Sequence, residues 1–560
     1  MKQKIFALFL ILCGLCLNLK AETQGDVVGR VLDDSGAPLA GATVQILHAK
    51  GGVTTDEDGY FRIPYSKDGA VRVKVSFVGY QTQTFVLKAD ERKGEQHVLR
   101  LQPDATALDQ VVVTATRTPK ALKDAPVVTR LITANDIKIA DATNIQDLLT
   151  EQMPGLEFGY AMNQETSLNM NGFGGNAVLF LVDGERLAGE TMDNVDYSRL
   201  NLDNVGRIEI VKGAASALYG ASAVAGVINI ISRENSEPWT ANVNTRYNDF
   251  NKEWRHGGSF SFNAGKWNSQ TSIQRTTSDE VQLTSPFDTE SNILHIYGGE
   301  TFNVKERLTY KLSDKVKLIG RGGYFNRISK RSNYDDHYMD YSAGLKTVMN
   351  LSENDNLEIS YGFDQYDKAR YVNDERTHDH DYTNRQNTVR ALYSHIFGKN
   401  TLTAGADFLN DYLTTYQFAN NGSKTQNSYD AFAQFDYNPL QWLNIVASLR
   451  HDYFSASSQH ATTGRLALMT KWKGFSIRAN YAGGFRAPTL KEMYMNFDMA
   501  GMQMIYGNPD LKPEKSDNYN LALEHTGRVK NAGFFTGQYS LTLMGYYNKY
   551  DKRITTGDYE

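Results

Sequence analysis

From Trp239 onward the chain repeats one pattern, segments of about ten residues in which apolar and polar side chains alternate. In Leu443-Asn444-Ile445-Val446-Ala447-Ser448-Leu449-Arg450 the odd positions are apolar; in Phe475-Ser476-Ile477-Arg478-Ala479-Asn480-Tyr481 they are apolar or aromatic. Successive side chains of a strand point to opposite faces, so each segment has one oily face and one wet face. Short turn signals at Gly265-Lys266, Ser313-Asp314, Ser352 to Asp355, Gly398 to Asn400, Asn438-Pro439 and Lys473-Gly474 alternate with long polar stretches near 277–293, 329–341, 371–385, 416–427 and 487–516. Short turns on one side and long loops on the other predict an antiparallel transmembrane β-barrel over 236–560, with lipid outside and water inside. About fifteen strands fit before Glu560.

The other end of the chain agrees with export to a membrane. Lys2 and Lys4 precede an apolar run from Ile5 to Leu17, and Ala21 offers a cleavage point before Glu22, so residues 1–21 read as a signal peptide. The run is shorter than the roughly 20 residues a spanning helix needs. Three lysines and no acid leave with this leader, so the formal charge of −5 becomes −8, and no basic tract suggests nucleic acid. Cys13 and Cys16 both lie in the leader, which removes disulfides, thiolate metal sites and cysteine nucleophiles from the mature protein. Mean hydropathy is −0.47, and no later stretch approaches 18 uninterrupted apolar residues, so helical spans are not expected. The 32 Tyr and 26 Phe against 12 Pro fit an aromatic-rich β protein. No nucleophile–base pair emerges, and an enzyme is not expected.

Residues 22–102 read as a small β-sandwich: VVGRVLDDSGAPLAGATVQIL, GVTTDEDGYFRI and VRVKVSFVGYQTQTFVL are short strands separated by turns at Asp34-Ser35-Gly36 and Asp58-Gly59. The spacing of Gly29, Gly36, Pro38, Gly41, Ala42, Gly59 and Phe61 resembles the carboxypeptidase-regulatory-like domain. A generic immunoglobulin-like module predicts the same strands. Asp56, Glu57 and Asp58 lack the spacing of a calcium loop and read as a solvated turn.

The linker 103–119 carries Leu108-Asp109-Gln110-Val111-Val112-Val113-Thr114. An extended β-branched run with free backbone groups can be recruited by another protein's sheet edge, and this one resembles a TonB box; an ordinary strand of a neighbouring domain is the other reading. The block 120–235 resembles the plug of TonB-dependent receptors. The resemblance rests on Ile145 to Leu149 with Pro154-Gly155-Leu156, on Val178 to Gly184, on Arg207 to Gly213, and on Ser216 to Gly220 continuing through Gly226 to Ile231. It implies a fold that is mainly β: the small β-sandwich, an α+β plug, and an incomplete barrel of the 22-stranded family, with about seven C-terminal strands missing. It also implies the outer membrane of a Gram-negative bacterium, with TonB and its inner-membrane energising complex and outer-membrane lipid as partners. A surface lipoprotein is compatible with it.

Phe485-Arg486-Ala487-Pro488 and Asn508-Pro509-Asp510-Leu511 resemble paired boxes of haem receptors, and more loosely of other iron-complex receptors. They imply no tightly bound cofactor but a transported ligand, haem or a ferric siderophore, with cobalamin the nearest competitor and a non-transporting surface receptor or adhesin the other class. No His stands between these boxes or between His97 and His256. The ligand-binding candidates are therefore Arg486, Tyr494, Met499, Met502 and Tyr506, with Met495 and Met504 nearby, and His378 and His380 in another predicted outer loop. Thioether, phenolate and imidazole groups ligate haem iron, while packing of the methionines and a solvated histidine loop are the plainer readings. Arg486 has two readings: a partner for an anionic ligand group, or a brace fixing the loop with Pro488 and Asp510. Tyr334, Asp335, Asp336, His337 and Tyr338 form a further polar-aromatic patch, suited to stacking on a planar ligand or to the membrane interface.

Overall fold

The computed structural model describes residues 25–33, 36, 38–47, 52–65, 70–77, 80, 82–87, 97–101, 111–160, 165–190, 194–235, 237–284, 293–499, 501–532 and 535–557. The leader and Leu108, Asp109 and Gln110 lie outside these residues. The chain divides into two compact units, Met1–Gln110 and Val111–Glu560.

The first unit is a two-sheet β-sandwich. Gly25–Leu32 lies between Tyr60–Tyr65 and His97–Arg100, and the second sheet runs in the order Gly52–Thr54, Thr43–Ile46, Val71–Ser76, Gln83–Leu87. Val71, Val73 and Val75 turn inward while Arg72 and Lys74 stay exposed, so the alternation read in the sequence is the alternation of burial. Asp56 closes its turn through Oδ1, which accepts from the Tyr60 amide at 2.8 Å, and Gly59 takes φ +80°, where a β-carbon would meet Val31 O at 2.6 Å.

The second unit holds a plug and a wall. The plug's main sheet runs Thr129–Thr133, Val205–Lys212, Gly226–Ser232, Val178–Val182, Glu185–Arg186. Its central strands are apolar on both faces because one face meets the plug's helices and the other meets the wall. Asp183 and Gly184 both take positive φ, as a tight hairpin turn requires. Thr133 and Asp136 cap Ala134–Ala140 reciprocally, and Asn144 caps Ile145–Gln152, whose Ile145, Leu148 and Leu149 enter the plug core.

Fifteen strands, from Trp239–Asn248 to Phe535–Lys552, form one antiparallel sheet in sequence order; Glu375–Arg376 adds a short spur to Asp355–Val372. The strand count and the alternation agree with the sequence reading. In Leu443–Phe454, Asn444, Ser448, Arg450 and Asp452 are buried inward while Leu449 is largely exposed on the other face. Plug residues touch the wall from Arg246, bonded to Asp141, round to Tyr550, whose ring lies 5.0 Å from Phe173. No described helix is long and apolar enough to cross a membrane.

Two expectations are corrected. Asn438-Pro439 is no turn: Ser423–Leu440 runs through it with a register shift between Tyr437 and Leu440, a bulge where proline's missing donor is tolerated. The polar stretch 329–341 is mostly strand, since Asp335–Asn350 pairs with Val316–Lys330 and leaves only 331–334 as a turn.

Candidate functional site

The long-loop ends of the strands form the outer mouth, where the loop 487–513 joins Phe475–Arg486 to Glu514–Ala532. Arg486 is a brace. It is 2% exposed, and its guanidinium binds Glu492 through Nη1 and Nη2, both at 2.9 Å, and Glu514 through Nε and Nη2 at 3.0 and 2.9 Å. Four charge-assisted bonds occupy four of its five N–H donors, which is the geometry of the brace reading, although Arg486 also lines the cavity below the loop. Its partners are these two glutamates, whereas Asp510 makes its own turn by donating its amide to Asn508 Oδ1. The same Glu492 closes a capping box with Thr489 at the start of Leu490–Tyr494. That helix buries Leu490 and Met493 against Tyr382, Leu413 and Phe418.

Beyond the helix the loop forms a hairpin, Asn496–Asp498 with Met504–Tyr506. Its tip presents thioethers: Met502 is 73% exposed, and Met499 and Met504 are also exposed, as is Tyr506. Tyr494 is half-buried instead, with the Lys424 ammonium 4.5 Å over its ring and Phe418 edge-on. The hairpin meets the histidine loop through one ring. His380 lies 4.8 Å from Tyr416, and Tyr416 lies 6.3 Å from Phe497, centroid to centroid. His380 Nε2 is taken by Arg370 at 2.8 Å. His378 is exposed, with Nδ1 2.9 Å from Asp381 Oδ2. A carboxylate on one imidazole nitrogen orients the ring and directs the other nitrogen outward, as in metal-ligating histidines. The two candidate loops are thus one surface.

The patch Tyr334 to Tyr338 is not available for stacking. Tyr338 is fully buried, its hydroxyl on Glu165 at 2.9 Å and Arg327 over its ring; Asp336 binds Arg370, whose guanidinium covers Tyr334; His337 stacks on Tyr371.

Beneath the loop lies a vestibule of about 250 Å³, roofed by Arg486 to Lys491 and floored by plug residues such as Arg186 and Glu190. Lys491 joins roof to floor through Glu190 at 2.7 Å. On its far flank the plug is fastened to the wall by Arg199, which binds Asp340 at 2.5 Å and Asp364 at 2.9 Å, and by Asp196, which accepts from the Tyr366 hydroxyl at 2.8 Å and pairs with Arg327 at 3.0 Å.

At the start of this unit, Val111–Val112 pairs with Lys120–Ala121, so the expectation of an unpaired strand does not hold for these two residues. The pair is only two residues long. Val113 and Thr114, next in the chain, are held by Glu209, fully buried in the strand Val205–Lys212. Glu209 Oε2 accepts from the amides of Val113 and Thr114 at 2.9 and 2.8 Å and from the Thr114 hydroxyl at 2.7 Å, and Oε1 accepts from Arg207. Sequence reasoning includes Glu209 in the Arg207 to Gly213 motif but gives it no role of its own, and it does not single out Arg199. A carboxylate within the apolar run RIEIV is the available signal for the first; nothing local marks the second.

Three family models match: the TonB-dependent receptor-like β-barrel over 229–559, the TonB-dependent receptor plug domain over 121–227 and the CarboxypepD_reg-like domain over 27–113. The vitamin B12 transporter BtuB of Photobacterium profundum is 26% identical over 473 residues, 80% of this chain and 71% of the relative. An iron-regulated outer membrane virulence protein of Vibrio cholerae is 24% identical over 485 residues, 81% of this chain and 70% of the relative. Among solved structures, the hemophore receptor HasR of Serratia marcescens, in complex with HasA and heme, shares the fold with a TM-score of 0.64 at 13% identity, covering 76% of this chain and 73% of that one. Plug, wall and matched family coincide: the chain belongs to the TonB-dependent receptors, the outer-membrane transporters of Gram-negative bacteria.

Proposed function

We propose that this transporter imports an iron complex, haem before a ferric siderophore, captured at the outer mouth. The observation that supports it is the meeting, through Tyr416, of the loop that carries His378 and His380 with the thioether-bearing hairpin: His380 makes the contact, and Asp381 orients the exposed His378. Haem iron accepts imidazole, thioether or phenolate ligands, and its apolar faces suit methionine and aromatic surfaces. His378 and Met502 are the most exposed of these groups, while Arg486 and Glu492 hold the loop in place.

A second reading, a corrinoid cargo, is favoured by the 26% identity to a vitamin B12 transporter. Titrating the full-length protein with hemin and with cyanocobalamin separates the two. Haem import predicts saturable hemin binding with a Soret band that changes in His378→Ala or Met502→Ala. Cyanocobalamin binding more tightly than hemin overturns it.

A further inference from the structure

Behind the plug hairpin formed by Val178–Val182 and Glu185–Arg186 lies a second cavity of about 250 Å³, whose lining shares Arg390 alone with that of the vestibule. It lies toward the short-turn ends of the strands, because Lys346 and Leu392 in its lining sit near the strand ends at Asn350 and Phe397. Its charge is lopsided. Arg117, Arg207, Arg307, Arg321, Lys346 and Arg390 line it, against the carboxylates of Asp183 and Glu358 only. The vestibule, by contrast, sets five cations against five acids.

Local partners account for four of the six cations. Arg207 pairs with Glu209, Arg307 with Glu234, Arg321 with Glu185 and Arg390 with Asp407. Asp183 is occupied by the amide and hydroxyl of Ser232. Among the described residues Arg117 and Lys346 form no ion pair; Lys346 reaches only the Asp183 carbonyl at 3.4 Å. Arg117 donates Nη2 to Leu218 O, its guanidinium lies 4.1 Å over the Tyr219 ring, and its buried Nε has no partner. Its backbone is left-handed, φ 57°, a conformation that an arginine keeps only where its surroundings impose it. Burial first, and then the Arg390 charge, press its pKa down to about 10.

We propose that this inner cavity is an anion-binding site, taking carboxylate or phosphate groups, with Arg117 and Lys346 as its open contacts. Arg117 lies between the strands Val111–Val112 and Lys120–Ala121, and Val113 and Pro119 also line the cavity, so an anion there touches the segment that precedes the plug. Such a group arrives either on the cargo, as its acidic substituents, or as a free anion.

The test is calorimetric titration of the full chain with inorganic phosphate at constant ionic strength. Arg117→Gln and Lys346→Gln should each weaken binding about tenfold, the loss of one charge-assisted contact. Glu358→Gln removes the acid facing the site and should tighten binding, an outcome that misfolding cannot produce. No phosphate heat, or one affinity in wild type and all three variants, overturns the proposal whatever the cargo is. Hemin uptake by cells then assigns the source. Uptake reduced in Arg117→Gln, with hemin binding to the purified protein retained, assigns the site to cargo; unchanged uptake alongside weakened phosphate binding assigns it to a free anion.

Discussion

Glu209 shows how much one buried carboxylate can hold. Its two oxygens serve four donors, three of them on Val113 and Thr114, and Asn229 adds a bond to the same Thr114 hydroxyl. Hydrogen bonds to a buried charge contribute about 1.5–3 kcal/mol each. Glu209→Gln turns an acceptor into an amide that cannot satisfy them all, and hydrogen exchange at 112–116 should quicken by roughly 100-fold, about 2.7 kcal/mol. Wild-type protection in that variant contradicts the clamp. Asp196 gives a pH prediction. Burial pushes its carboxyl up, but Arg327 and the hydroxyls of Ser198 and Tyr366 more than offset this and hold it below the usual range. A depressed folded pKa adds stability above the unfolded value, about 3.9, and that stability is lost as pH falls through the folded value. Asp196→Asn should lower stability at neutral pH and flatten the acid limb followed by tryptophan fluorescence; an acid limb like that of wild type argues against the pairing. The exposure of His378 is legible in the sequence as a solvated charged loop, whereas that of Met502 is not, since packing is the plainer reading of a loop methionine. A brace at Arg486 is one of two readings the sequence allows, but its partners are not legible: Glu492 and Glu514 stand six and 28 residues away in sequence, and only the fold brings them together.

Elements are legible where a period carries them. Alternation marks the wall strands and Val71–Ser76, and a tight-turn pair marks the plug hairpin, because burial of one face imposes that pattern. The pattern fails at Pro439, where a bulge absorbs the proline, and at 335–341, where charged and aromatic residues face the plug rather than water. Tyr338 and Asp340 are buried there because Glu165 and Arg199 of the plug meet them, and Asp336 because Arg370 of the neighbouring wall strand does. The strand Val111–Val112 is the element on which energy coupling is proposed to act, together with Leu108 to Gln110. With two paired residues it is cheap to release compared with the long strands of the wall. Val112→Pro removes a backbone donor and should abolish strand addition to a partner's sheet edge while leaving ligand binding intact. Uptake equal to wild type in this variant contradicts the assignment.

At the scale of the molecule, a plug is held in a wall by buried, multiply bonded charges. Arg199 with Asp340 and Asp364, Arg327 with Glu165 and Asp196, and Lys120 with Asp436 join plug residues to wall strands far away in sequence. Buried pairs are little screened by salt, so ions alone should not free the plug. A segment clamped by one carboxylate and preceding that plug offers a mechanical handle, and the mouth opposite presents the proposed iron ligands. These two ends make one testable unit. The measurement is uptake of radio-iron hemin by cells carrying the full-length protein, with and without a protonophore, beside labelled cyanocobalamin. The account predicts hemin accumulation that stops with the protonophore and in Val112→Pro, and that falls in the His378→Ala/Met502→Ala double variant. Energised accumulation of cyanocobalamin with none of hemin contradicts it.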